Sequence, residues 1–157
     1  IGGDMQLSLN QWASAISSAI QVPPAVEFSI VRTYNPVTRE LSMTVDGIGK
    51  ESLSGEIRLS VMLTESGIVD AQDDAEYQGG GIDSNYIHKH VLRAMLTPAT
   101  GAPISNGMTL AQTFSETYLT TLDAAWVADS MEIVAFVSLV NGSDFPVLQA
   151  ASIHLTE

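Results

Sequence analysis

Val26-Glu27-Phe28-Ser29-Ile30 and Glu40-Leu41-Ser42-Met43-Thr44-Val45 are the two stretches that decide the fold. In both, apolar and polar residues alternate, which is the period of a strand with one face on a core and the other in water. Between them lies Asn35-Pro36-Val37-Thr38. Proline presets the φ of a turn and an asparagine side chain can bond nearby backbone groups, so the two runs are expected to pair as a hairpin.

Further along, Ile57, Leu59, Val61 and Leu63 alternate with Glu56, Arg58 and Ser60 as a third strand. Glu65 to Asn85 loses the alternation and carries Gly79-Gly80-Gly81, which reads as one long loop. Tyr86 to Leu96 returns to an extended pattern, and Pro98, Gly101, Pro103 and Asn106-Gly107 punctuate a second break. Leu110, Phe114 and Tyr118 suggest a weaker strand. Met131 to Val140 is apolar on both faces, as in a central strand covered on each side, and Asn141-Gly142 turns it toward Val147 to Leu155. At the other end, Leu9, Trp12, Ala13, Ile16, Ala19 and Ile20 have helical spacing. Ser8 with Gln11 forms a capping box, and Pro23-Pro24 ends the helix. About seven strand-like runs with one N-terminal helix predict a mainly β chain, an antiparallel immunoglobulin- or fibronectin-like sandwich. Residues 1–24 form the helical segment and 25–157 the sandwich domain.

Six Lys and Arg stand against 18 Asp and Glu, a net charge of −12 that repels phosphate backbones and anionic lipid, so nucleic acid is not an expected partner. The longest uncharged apolar run, Ile133 to Val140, is far short of the roughly 20 residues of a spanning helix, and no direct membrane insertion is expected. With no cysteine, disulfides, thiolate catalysis and cysteine metal sites are excluded. The chain opens at Ile1 with neither an initiator Met nor a signal peptide, which reads as a processed or excised piece.

Chemistry-bearing residues concentrate in Tyr86-Ile87-His88-Lys89-His90-Val91-Leu92-Arg93. On one continuous strand His88 and His90 point to the same face and can grip one metal ion. Zinc asks for a third ligand, and His154 or a loop carboxylate would have to arrive through folding. The expected role of Tyr86, His88, His90 and Arg93 is structural, with the imidazoles bonded to the polypeptide and Lys89 and Arg93 ion-paired. Asp70, Asp73, Asp74, Glu76 and Asp83 offer oxygens to calcium but lack the Asp-x-Asp-x-Asp-Gly frame of a helix-loop-helix site. A solvated acidic loop is the expected reading, with no resident cofactor and calcium or zinc as the alternatives. For catalysis, there is no Gly-x-Ser-x-Gly elbow, and the adjacent Asp73-Asp74 have no apolar pocket in sequence to split their pKa values, so no catalytic residue is assigned. Trp12 and Ile16 share the apolar stripe of the helix and are expected to pack on the sandwich or on a second copy of the chain, the latter giving a homo-oligomer.

Several segments together resemble a known family. They are Trp12-Ala13-Ser14-Ala15-Ile16 before the proline stop, Leu53-Ser54-Gly55 leading into Leu59 to Glu65, Tyr86-x-His88-x-His90-Val91-Leu92-Arg93, Val134-Ala135-Phe136-Val137, and Val147-Leu148-Gln149-Ala150. They resemble the back half of the outer-membrane protein twenty-eight family of Bacteroidetes. The resemblance implies an envelope lipoprotein described as an adhesin or receptor, with a thioredoxin-like front region and a β-sandwich behind. Redox activity does not carry over, because the chain has no Cys-x-x-Cys pair and no thioredoxin-like start. The expected function is a non-enzymatic cell-envelope or secreted module, associated with the outer membrane, that binds a protein or surface polymer or supports a neighbouring domain. A calcium- or zinc-dependent binding domain and the accessory domain of an absent hydrolase are the alternatives.

Overall fold

The computed structural model describes residues 9–75 and 80–156. Ser8, with its expected cap, and Glu76 lie outside the described residues. The elements run α1 (Leu9–Ala19), β1 (Val26–Asn35), β2 (Glu40–Gly49), β3 (Leu53–Glu65), β4 (Ile68–Asp74), β5 (Gly81–His88), β6 (Val91–Met95), β7 (Ala102–Met108), β8 (Thr113–Thr121), β9 (Met131–Leu139) and β10 (Val147–His154). They form a three-stranded sheet in the order β1-β2-β8, a five-stranded sheet in the order β10-β9-β3-β6 with β7 also on β3, and a two-stranded ribbon of β4 and β5. All the pairings are antiparallel. With β6 and β7 counted as two halves of one split strand, the body is a seven-stranded sandwich, β1-β2-β8 against β10-β9-β3-β6/β7. This is the fibronectin-like arrangement that the alternating runs predict.

The first hairpin closes as its chemistry dictates. The Asn35 side-chain oxygen accepts hydrogen bonds from the Val37 and Thr38 N–H groups at 2.9 and 3.3 Å, and the register runs unbroken from Val26↔Gly49 to Asn35↔Glu40. Arg39 leaves the turn in the left-handed region, φ 59°, and its guanidinium donates to the carbonyls of Leu122, Asp123 and Trp126. One side chain thus ties the hairpin to the β8–β9 connection. The apolar alternates of β2, β3 and β9 point inward, where Val45, Leu59, Val61, Leu63, Ile133 and Val137 are all fully buried. Fully burying an aliphatic side chain contributes roughly 1.5–3 kcal/mol, so these rows supply most of the drive to fold.

β3 organises the larger sheet. β9 follows one edge from Ile57↔Leu139 to Glu65↔Met131, while the other edge is shared by β7 at its start and β6 at its end. Where neither covers Val61, the Thr97 hydroxyl accepts its N–H at 3.1 Å and the Leu96 N–H donates to its carbonyl at 2.8 Å. The crossing chain turns at Gly101, φ 79°, where an added Cβ would lie 3.0–3.2 Å from Ser60, Arg58 and Leu59. The expected break between Pro98 and Gly107 is therefore corrected. Only Pro98 to Gly101 turns, and Ala102–Met108 is a strand, because it lies at a sheet edge where Pro103 loses no bond that matters.

Two further expectations need correction. Glu65 to Asn85 is not one aperiodic loop: Ile68↔His88 through Asp74↔Gly81 form a hairpin ladder. Among the described residues the ribbon pairs with no other strand, both its faces see solvent, and so its sequence carries no one-sided alternation to read. Nor is Tyr86 to Leu96 one strand. The chain breaks at Lys89-His90, where His90 takes φ 53° and its N–H donates to the Ser66 hydroxyl at 3.0 Å.

The helix forms, and Pro23-Pro24 follows its last turn. On its stripe, Trp12 and Ile16 are 53% and 54% exposed. The prolines hold the chain extended on leaving the helix, and it is Ala19 to Pro24 that borders Val147 to Gln149 at the start of β10.

Candidate functional site at the root of the ribbon

The signature residues gather where the ribbon leaves the five-stranded sheet. β3 ends at Glu65, and β6 returns beside it with Glu65↔Val91 in register, so Ser66 to His90 leaves and re-enters the sheet between adjacent strands. Gly67 N–H to the His88 carbonyl, 2.9 Å, closes the neck of the ribbon.

Glu65 is the first fixed point. Its side chain is only 4% exposed, and Oε2 accepts from Arg93 Nε at 2.7 Å while Oε1 accepts the Val127 N–H at 3.0 Å. A buried carboxylate is tolerated when its charge and lone pairs are met, as here. The expected ion pair of Arg93 therefore exists and joins β3, β6 and the β8–β9 connection. Lys89 has no ion pair among the described residues.

The break at Lys89-His90 separates the two histidines. His88 ends β5 and sets its ring edge-on to Tyr86, centroids 4.9 Å apart at 68°. In register, Tyr86 opposes Asp70 and His88 opposes Ile68, so these four share a ribbon face. His90 instead turns toward β9: its Nδ1 stands 3.3 Å from Glu132 Oε2. The other oxygen of Glu132 lies 3.9 Å from Nε2 of His154 on β10. The register Thr64↔Glu132↔His154 sets these three side by side on the outer sheet face. The Thr64 hydroxyl is buried and has no hydrogen-bond partner among the described residues.

The acidic residues do not collect into one loop site. Asp70, Asp73 and Asp74 are spaced along β4 and Asp83 stands on β5. Asp70 and Asp83 each accept a backbone N–H just after them in the chain, from Ala71 at 2.7 Å and Asn85 at 2.9 Å. Among the described residues, no three ligand-type side chains converge on one point. Sequence reading missed Glu65, Thr64 and Glu132. A signal for Glu132 was there, a lone carboxylate inside an otherwise apolar central strand. Glu65 ends β3 just after the apolar run Val61-Met62-Leu63.

Comparison with known proteins bears on the fold and the family. A search of the curated proteins finds no match. Among solved structures, a domain of the outer membrane lipoprotein Omp28 from Porphyromonas gingivalis is similar at 20% identity, with 85% of this chain and 91% of that one covered and a TM-score of 0.51. The sporulation control protein Spo0M of Bacillus subtilis, at 10% identity over 83% of this chain and 48% of that one, gives a TM-score of 0.49. The first of these likenesses agrees with the sandwich described above, and the second adds nothing to it. The family model for outer membrane protein Omp28 matches residues 1–156. With nearly every residue matched, the chain belongs to the outer membrane protein Omp28 family and so to the outer-membrane-associated cell envelope.

Proposed function

We propose that this domain is a non-catalytic contact module of the envelope, and that its β4–β5 ribbon docks on a partner protein. The observation that carries the reading is the ribbon's exposure: Val69, Ile82 and Ile87 are 60%, 68% and 56% exposed on a hairpin that pairs with no other strand among the described residues. A two-stranded hairpin alone is marginally stable in water, and its open edges present unpaired N–H and C=O groups. Such an element gains most by adding a strand from another chain, with backbone bonds giving affinity and the Val69–Ile87 pair giving apolar contact. Ile68 to His88 holds five carboxylates and no Lys or Arg, which favours a partner segment that is extended and basic.

A photo-crosslinking residue in place of Ile87, set against the same residue in place of exposed Leu119 on β8, tests the reading on the envelope surface. Discrete crosslinked protein bands at position 87 and none at 119 are expected. Bands at 119 alone, or none from either site, contradict the ribbon as the contact element.

A further inference from the structure

We propose that the depression between β1 and the β8–β9 connection binds a small zwitterion of the α-amino-acid type, with Arg32 taking its carboxylate, Asp129 its ammonium group and Tyr34 its side chain. Arg32 opposes the buried Met43 in the β1–β2 register, so it stands on the core-facing row of β1, between Ile30 and Tyr34. An arginine can hold that position because β1 is a sheet edge: its stem covers apolar surface while its head reaches the rim, where Nε donates to the Leu155 carbonyl at 3.1 Å. That is its one hydrogen bond among the described residues, and it has no ion pair among them. With Nε engaged, the two terminal nitrogens remain as a planar fork, the shape that meets a carboxylate through two parallel bonds.

Among the six cations of this acidic chain Arg32 is the exception. Lys50, Arg58 and Arg93 each pair with a carboxylate, Arg39 donates to three carbonyls, and Lys89 is exposed. Arg32 is half-buried and lines a depression of about 410 Å³ with Tyr34, Pro36, Asp129, Leu155 and Thr156. That volume falls in the roughly 300–1,000 Å³ of small-ligand sites. Asp129 lines the same depression, yet it does not pair with Arg32. Two opposite charges that face one depression without meeting each other fit a ligand that carries both. A plain anion would meet Asp129 there, and a plain cation would meet Arg32. The Tyr34 ring, Pro36 and Leu155 supply apolar surface for the side chain of the ligand. The site goes beyond the docking reading and uses none of the ribbon's residues, so the two stand or fall separately.

The test is titration of L-phenylalanine into the isotope-labelled chain, followed by the NMR shifts of the backbone amides. Saturable shifts centred on residues 32–35, 128–130 and 154–156 are expected. Phenylalaninamide, which lacks the carboxylate, and N-acetylphenylalanine, which lacks the ammonium group, should each bind about tenfold more weakly. Asp129→Asn should abolish the preference for phenylalanine over N-acetylphenylalanine, and Arg32→Gln the preference over phenylalaninamide. Asp129 is exposed, so Asp129→Asn should keep the melting temperature within about 2 °C and read binding even where Arg32→Gln, which gives up the bond to Leu155, fails to fold. No saturable shift, shifts confined to other residues, or equal binding of the three compounds overturns the proposal. A preference that survives Asp129→Asn overturns it as well.

Discussion

The sandwich body and the β4–β5 ribbon are built from the same element, antiparallel strand on antiparallel strand, yet differ in what their side chains meet. In β3, Ile57, Leu59, Val61 and Leu63 are fully buried; in the ribbon Val69, Ile82 and Ile87 are more than half exposed. Strand pairing by itself contributes little net free energy, because each backbone bond replaces one to water. Burial separates a strand that holds the fold from one that the fold holds out to solvent. Burial assigns the stability of the fold to the body and predicts that the body folds without the ribbon.

The sharpest contrast comes from truncating one residue in each region. Leu59→Ala leaves a cavity in the core between the two sheets and should lower stability by about 4 kcal/mol, or about 10 °C in the melting temperature. Paired with Val69→Asp on the ribbon, expected within about 0.5 kcal/mol of the parent, it measures the difference directly by thermal unfolding. A large loss from Val69→Asp would place the ribbon inside the cooperative unit.

Arg93→Ala probes the seam between the regions and should have an intermediate effect. Removing the guanidinium leaves the Glu65 carboxylate buried with the Val127 N–H as its remaining partner. A loss of about 2–3 kcal/mol is expected, below the range for fully buried pairs because Arg93 is partly exposed. Denaturant unfolding of Arg93→Ala beside the double variant Arg93→Ala, Glu65→Gln checks the cause. Neutralising Glu65 should recover part of the loss, and no recovery would mean that Arg93 acts through packing alone.

The regions also differ in how legible they were. One-sided burial writes a period of two into β1, β2 and β3, and burial on both sides gives β9 its apolar run, so the body could be read from the pattern alone. The ribbon is bare on both faces, and Ile68-Val69-Asp70-Ala71-Gln72 places apolar and polar residues without regard to face. Strand β7 was hidden by the prolines and glycine around it, which a sheet edge accommodates. At the site, spacing alone joined His88 to His90. One residue in the left-handed region, His90, redirected the chain and replaced that pair with His90, Glu132 and His154, a grouping made by register between strands far apart in sequence.

The most direct test of the division is thermal unfolding of a chain in which residues 66–90 are replaced by a two-residue Asn-Gly turn. Glu65↔Val91 already pair across the neck, so the turn should close β3 onto β6 as an ordinary hairpin. A single cooperative transition within a few degrees of the parent is predicted. A transition lower by ten degrees or more, or the loss of cooperative unfolding, would mean that the body depends on the ribbon.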